Sequence, residues 1–154
     1  AKVMICLEEF TFKVEANKDE TVYTDGVYIF LRVKDKDDFR HKEIMMSKWF
    51  KQYQTTVFEE LLQEKYLLFE KYGVAYPTLK IRYMTSHGDH ANEKGIITLN
   101  SKLIEAPRNC IEYVICMNLY TLYIPIIQGV LGFRCNDDAG LEERKDELEQ
   151  RICV

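Results

Sequence analysis

Apolar and polar positions alternate through the first 34 residues. Phe10, Phe12 and Val14 are separated by Thr11 and Lys13, the two-residue period of a strand with one buried face. Val22 to Thr24 and Val27 to Leu31 are β-rich runs either side of Asp25-Gly26, which predicts a hairpin turn. Lys34 to Asp38 then interrupts the pattern with charge and supplies candidate helix caps. From about Asp38 to Tyr72 the period lengthens to three and four. Ile44, Met45, Trp49, Tyr53, Val57, Leu61, Leu62, Phe69 and Tyr72 trace one helical face, ending at Gly73. Trp49, between Met45 and Tyr53, is the expected core anchor of that helix. Leu79 to Tyr83 and Ile96 to Leu99 read as strands joined by a polar loop, 84–95. Pro107 opens a second apolar helix through Leu122, at a place where its missing N–H costs little. Asp137 and Asp138 can cap a last, charged helix from Leu141 to about Ile152.

The expected organisation is a single domain, 1–154, with N-terminal β-hairpins over 1–36 and a helix-and-sheet core over 37–154. Its 47% hydrophobic and 30% charged residues suit a soluble globule. A net charge of -4 gives no global attraction to nucleic acid or anionic lipid. No apolar run approaches the roughly 20 residues of a membrane span, and there is no basic, then apolar leader at the N-terminus. Five cysteines without a C-x-x-C pair suggest reduced, mostly buried thiols, Cys110 and Cys116 among them, and a cytoplasmic protein.

Four strings carry a family resemblance: Ile81-Arg82, Gly95-Ile96-Ile97-Thr98-Leu99-Asn100, Leu103-Ile104-Glu105-Ala106-Pro107 and Ile111-Glu112-Tyr113-Val114-Ile115. Together they resemble the YgjP-like predicted metal-dependent hydrolases, relatives of the SprT and WLM metallopeptidases. The resemblance implies an α+β, zincin-like domain: a mixed β-sheet, a long helix, and an active-site helix bearing H-E-x-x-H. That motif places two imidazoles one helical turn apart, with a glutamate beside them as general base.

In the register of those strings the motif falls on Met117, Asn118 and Thr121. The third ligand of the family, the His of a P-N-H-S segment, falls on Ile127 within Pro125-Ile126-Ile127-Gln128. The W-G-S-C loop has as its nearest counterpart His87-Gly88-Asp89-His90. A thioether, two neutral polar side chains and an alkyl group do not make a zinc site, and residues 91–154 contain no histidine. The chain therefore reads as a non-catalytic relative, a binding or scaffolding module with no cofactor.

The rival is a working hydrolase whose metal has moved to His87, Asp89 and His90, two imidazoles and a carboxylate on one loop, against the plainer reading of a solvated polar turn. A cysteine nucleophile with one of these histidines is weaker, because free cysteine is usually a buried packing residue. Tyr113, Tyr120 and Tyr123 are expected to fill core volume. The apolar segment 119–133 either closes the old groove or presents a surface to a protein partner or a second copy of the chain.

Overall fold

The computed structural model describes residues 2–5, 8–85, 90–91 and 94–131. His87, Asp89, the helix expected over 141–152 and its capping aspartates lie outside the described residues. Backbone contacts gather into two compact units, Ala1–Val57 and Phe58–Val154.

The first unit holds a four-stranded sheet made of β1 (Lys2–Ile5), β2 (Glu8–Ala16), β3 (Thr21–Thr24) and β4 (Tyr28–Val33), in the order β1-β2-β4-β3. The expected β3–β4 hairpin is present, and β1 with β2 makes another. The two hairpins do not stand apart, however. The chain crosses over at 17–20 so that β4 pairs with β2 in parallel, Thr11 opposite Tyr28 through Ala16 opposite Val33. The alternation acts as anticipated on β4, where Ile29, Leu31 and Val33 are buried and Tyr28, Phe30 and Arg32 are not. The opposite face is polar and aromatic. Tyr23 stacks on Phe30 with ring centroids 4.9 Å apart, and Arg32 Nε donates to Glu15 Oε2 at 3.2 Å.

The β3–β4 turn is fixed by its own side chains. Gly26 has φ 93°, a conformation that glycine adopts without steric cost. Asp25 Oδ1 accepts the N–H groups of Tyr28 and Val27 at 2.8 and 2.9 Å. These backbone bonds, Tyr28's first, hold the Asp25 carboxyl below its usual value.

The first helix, α1 (Phe39–Tyr66), is a single run that ends in a short 3-10 turn, Glu70–Tyr72. Gly73 stops it in the left-handed region at φ 71°. The buried positions agree with those expected at Leu61, Leu62 and, just past the helix, Phe69, and depart from them upstream. Gln54, Phe58, Leu61, Leu62 and Phe69 are buried, Ile44 is 58% exposed, and Trp49, Tyr53 and Val57 are intermediate. A straight helix turns about 100° per residue, so the apolar stripe read from the sequence drifts around the axis over so long a run. Trp49 is not the enclosed anchor that periodicity predicted; it stacks on Tyr53, one turn on, at 5.0 Å.

The second unit carries β5 (Thr78–Arg82), β6 (His90–Ala91) and β7 (Ile96–Asn100), in the order β5-β7-β6. β5 runs parallel to β7, and β6, inside the stretch expected to be loop, runs antiparallel to it. The single mixed sheet expected from the resemblance is thus two small sheets among the described residues, and the class is α+β. The second helix, α2 (Arg108–Leu131), begins where Pro107 O accepts the N–H of Cys110 and of Ile111. Over Arg108–Gly129 it is long and apolar enough to cross a membrane, although the sequence reading found no such run. Core helices share that length and composition. Ile111, Ile115, Leu119 and Leu122 are buried within the protein.

Two expectations follow. Asp25 has a depressed folded-state pKa, so its contribution is full above about pH 4 and is lost as pH falls through the folded-state value. Replacing Asp25 by Ala should therefore lower stability at neutral pH and flatten the acid limb of a pH–stability curve followed by circular dichroism. Trp49→Ala should cost about 1–2 kcal/mol, the stacking contribution plus partial burial, less than the 3–5 kcal/mol typical of an enclosed aromatic; urea unfolding measures it.

Candidate metal site

The strings of the resemblance have structural duties. Gly95 sits at φ 74° and its carbonyl accepts Thr78 N–H at 2.9 Å, which starts the β5–β7 ladder. Ile97 and Leu99 are fully buried. Asn100 closes the strand. Its Nδ2 donates to Met84 O at 3.0 Å, its Oδ1 accepts Met84 N–H at 3.4 Å, and the same oxygen accepts Lys102 N–H at 3.1 Å. One amide thus extends the ladder beyond its last strand pair and caps the 3-10 turn Ser101–Glu105. Sequence reasoning recorded Asn100 as part of a string but missed this clamp; a terminal Asn after an alternating strand was the available signal.

α2 follows with Glu112 as its anchor. Glu112 meets Arg108 at 3.4 Å and Lys65, in the last turn of α1, at 3.9 Å; the Lys65 and Glu112 side chains are mostly covered. Ile111, Ile115, Asn118 and Leu122 follow at three- and four-residue steps and are all buried. Helix geometry then places Cys110, Val114, Met117 and Thr121 together on an adjoining face. That face is more open: Cys110 and Thr121 are exposed, Val114 and Met117 intermediate. β6 lies beside α2 in the backbone.

The positions predicted to matter are therefore only partly brought together. Met117 and Thr121 share the open face, one turn apart. Asn118 is buried on the neighbouring side and its Nδ2 donates to Val114 O at 2.9 Å. The Thr121 hydroxyl donates to Met117 O at 2.9 Å. Ile127 is buried beyond Pro125, which sits inside the helix and denies Thr121 O the N–H of a normal helical bond. His90 is placed by its backbone opposite Thr98 on β7. Two open depressions on α1, one along Lys51 to Thr56 and one between Glu60 and Tyr76, include none of Met117, Asn118, Thr121 or Ile127.

These residues do not fit zinc. Their polar groups are committed to the helix backbone, and among the described residues no buried side-chain nitrogen or oxygen is left without a partner. Nor do three His, Cys, Asp or Glu side chains among them gather into a metal-holding group.

Of the two helix cysteines, one meets the expectation of a buried thiol and one does not. Cys116 is buried, and burial pushes its thiol up to about 11, with Lys65 opposing. Cys110 is exposed, because its place in the first turn faces away from Ile111 and Ile115. Of the three tyrosines, Tyr123 is enclosed: its hydroxyl donates to Ala75 O at 2.6 Å and its ring meets Tyr66 and Phe69. Burial, then Tyr66 and Tyr76, raises it to about 12. Tyr113 and Tyr120 are only partly covered.

Comparison with known proteins agrees with the strings. The YgjP-like family, described as a metallopeptidase domain, matches residues 2–117. The chain belongs to that family. No curated protein and no solved structure matches it. The family match stops at Met117, the first position of the expected H-E-x-x-H.

The Asn100 clamp gives a direct expectation. Asn100→Ala leaves the Met84 and Lys102 backbone groups short of partners and should cost about 1–3 kcal/mol. Chemical denaturation reads the loss, and amide exchange at Met84 should rise with it.

Proposed function

We propose that this chain, as it stands, is a non-catalytic member of its metal-dependent hydrolase family, a zincin-like fold retained as a binding or scaffolding module that holds no zinc at the family position. The single observation that carries this reading is the set of side chains at the site. Hydrolysis by a zincin needs imidazole ligands and a carboxylate that accepts a proton from water. Met117 and Ile127 provide neither, and the Asn118 amide and Thr121 hydroxyl are tied to Val114 O and Met117 O. An occupant would be a protein partner or a second copy of the chain, met through the apolar 119–133 segment. Within its described part, Ile126 is 51% exposed and Ile124 partly so.

Protein purified without a histidine tag should carry no stoichiometric zinc by elemental analysis and should not degrade unfolded casein with zinc added. The triple variant Met117→His, Asn118→Glu, Thr121→His should bind zinc weakly, since Ile127 still withholds a third ligand and nothing orients the new imidazoles. Casein turnover by the parent that a chelator abolishes would overturn the reading. It would favour a metal at His87, Asp89 and His90, and loss of turnover in His87→Ala and His90→Ala would identify that site.

A further inference from the structure

The misfit between the site and zinc has a definite form. Outside the loop at 87–90, the strings before Cys116 keep the family's pattern, and the structural duties within them are visible in Gly95, Asn100 and Glu112. At Met117 the family match stops. Beyond it α2 carries a proline in its interior and a half-exposed isoleucine beside it. Yet Met117 and Thr121 still occupy the open face at the one-turn spacing that paired imidazole ligands require.

The genetic code accounts for both facts. Methionine has one codon, ATG, and asparagine codons begin AA. The triplet made from the last base of the Met117 codon and the first two of the Asn118 codon is GAA, which is glutamate and nothing else. The triplet one step earlier, across Cys116 and Met117, is CAT or TAT: histidine or tyrosine. Across Tyr120 and Thr121 it is CAC or TAC, again histidine or tyrosine. Read one base early, Cys116 to Thr121 can spell H-E-x-x-H in the register already assigned. The same displacement allows proline across Ile124 and Pro125, asparagine across Pro125 and Ile126, histidine across Ile126 and Ile127, and serine across Ile127 and Gln128. That is P-N-H-S at its assigned place. The opposite displacement meets TGA, a stop, within Met117-Asn118.

A second stretch repeats the result independently. Across His87 and Gly88 the early triplet is tryptophan or arginine; across Gly88 and Asp89 it allows glycine. Across Asp89 and His90 it is serine or proline, and across His90 and Ala91 cysteine or arginine. W-G-S-C can therefore be spelled one base out of step at the loop where the chain departs from it. Gly95 and the strand after it are back in step.

We infer that the coding sequence of this chain carries a complete zinc-binding segment displaced by one base, and that the helix from Met117 onward is its out-of-frame reading. One base restored within codon 116 yields a helix with two imidazoles on the open face of α2, a glutamate at position 118 and a third imidazole at position 127. The ligand is a divalent zinc ion. The inference rests on the non-catalytic reading only in taking Met117, Asn118, Thr121 and Ile127 as the family's functional positions.

The third bases of the codons decide it. The coding DNA should end in C at Cys116, Tyr120 and Ile126, and in T at His87, Asp89 and His90. A codon ending in T at Cys116 or Tyr120 puts tyrosine in place of a ligand and overturns the proposal. The coding region with one base restored in codon 116 should yield protein whose zinc content rises from none to one ion per chain. A folded product holding no more zinc than the parent also overturns it, and if that product does not fold, the codons still give the answer. Codons ending otherwise would leave the parent inert toward casein, so the two readings fail separately.

Discussion

A helix has only one angular register, and in α2 the burial of Ile111 and Ile115 sets it. Once those side chains enter the core, the 100° step per residue decides every later position. Asn118 and Leu122 must turn inward, and Met117 and Thr121 must turn toward the open side. Glu112 reinforces the setting, because its bond to Lys65 ties the same helix rotation to the last turn of α1. Chemistry on this helix is thus governed by packing one and two turns upstream of it. Met117 and Thr121 keep their one-turn spacing on the open face even though their side chains are not zinc ligands.

The β5-β7-β6 sheet supplies the other fixed boundary. Gly95 starts β7 with a left-handed residue, and Asn100 ends it with an amide that substitutes for a strand neighbour. Between them, Ile97 and Leu99 are buried. The loop between Met84 and Gly95 is held at both roots: the Asn100 side-chain amide bonds the Met84 backbone, and Thr78 N–H donates to Gly95 O. Sequence change between such roots alters the loop without undoing the strands.

Local patterns in the sequence were legible wherever one residue type had one physical reason to be there. Asp25-Gly26 foretold its turn, Gly73 its helix stop, Pro107 its helix start, and the alternation in β4 its buried face. Pairing between distant strands was not legible, since nothing in β2 or β4 alone announces that they run parallel. The drift of the apolar stripe along α1 was missed for a related reason. Period alone does not say which part of a 28-residue helix meets a neighbour, so Phe58 was overlooked and Trp49 over-read. At the candidate site the burial of Asn118 and the exposure of Cys110 followed from helix rotation and required the structure.

Cys110 and Cys116 sit six residues apart on one helix and differ completely as chemical groups. The buried thiol, held up to about 11, stays protonated and out of reach at neutral pH. The exposed one shares its face with Val114, Met117 and Thr121. Among the described cysteines, an alkylating probe would therefore mark Cys110 alone and turn α2 into a reporter of its own surface. Whatever comes to lie over that face, a protein partner or a second copy of the chain, would announce itself by shielding that sulfur.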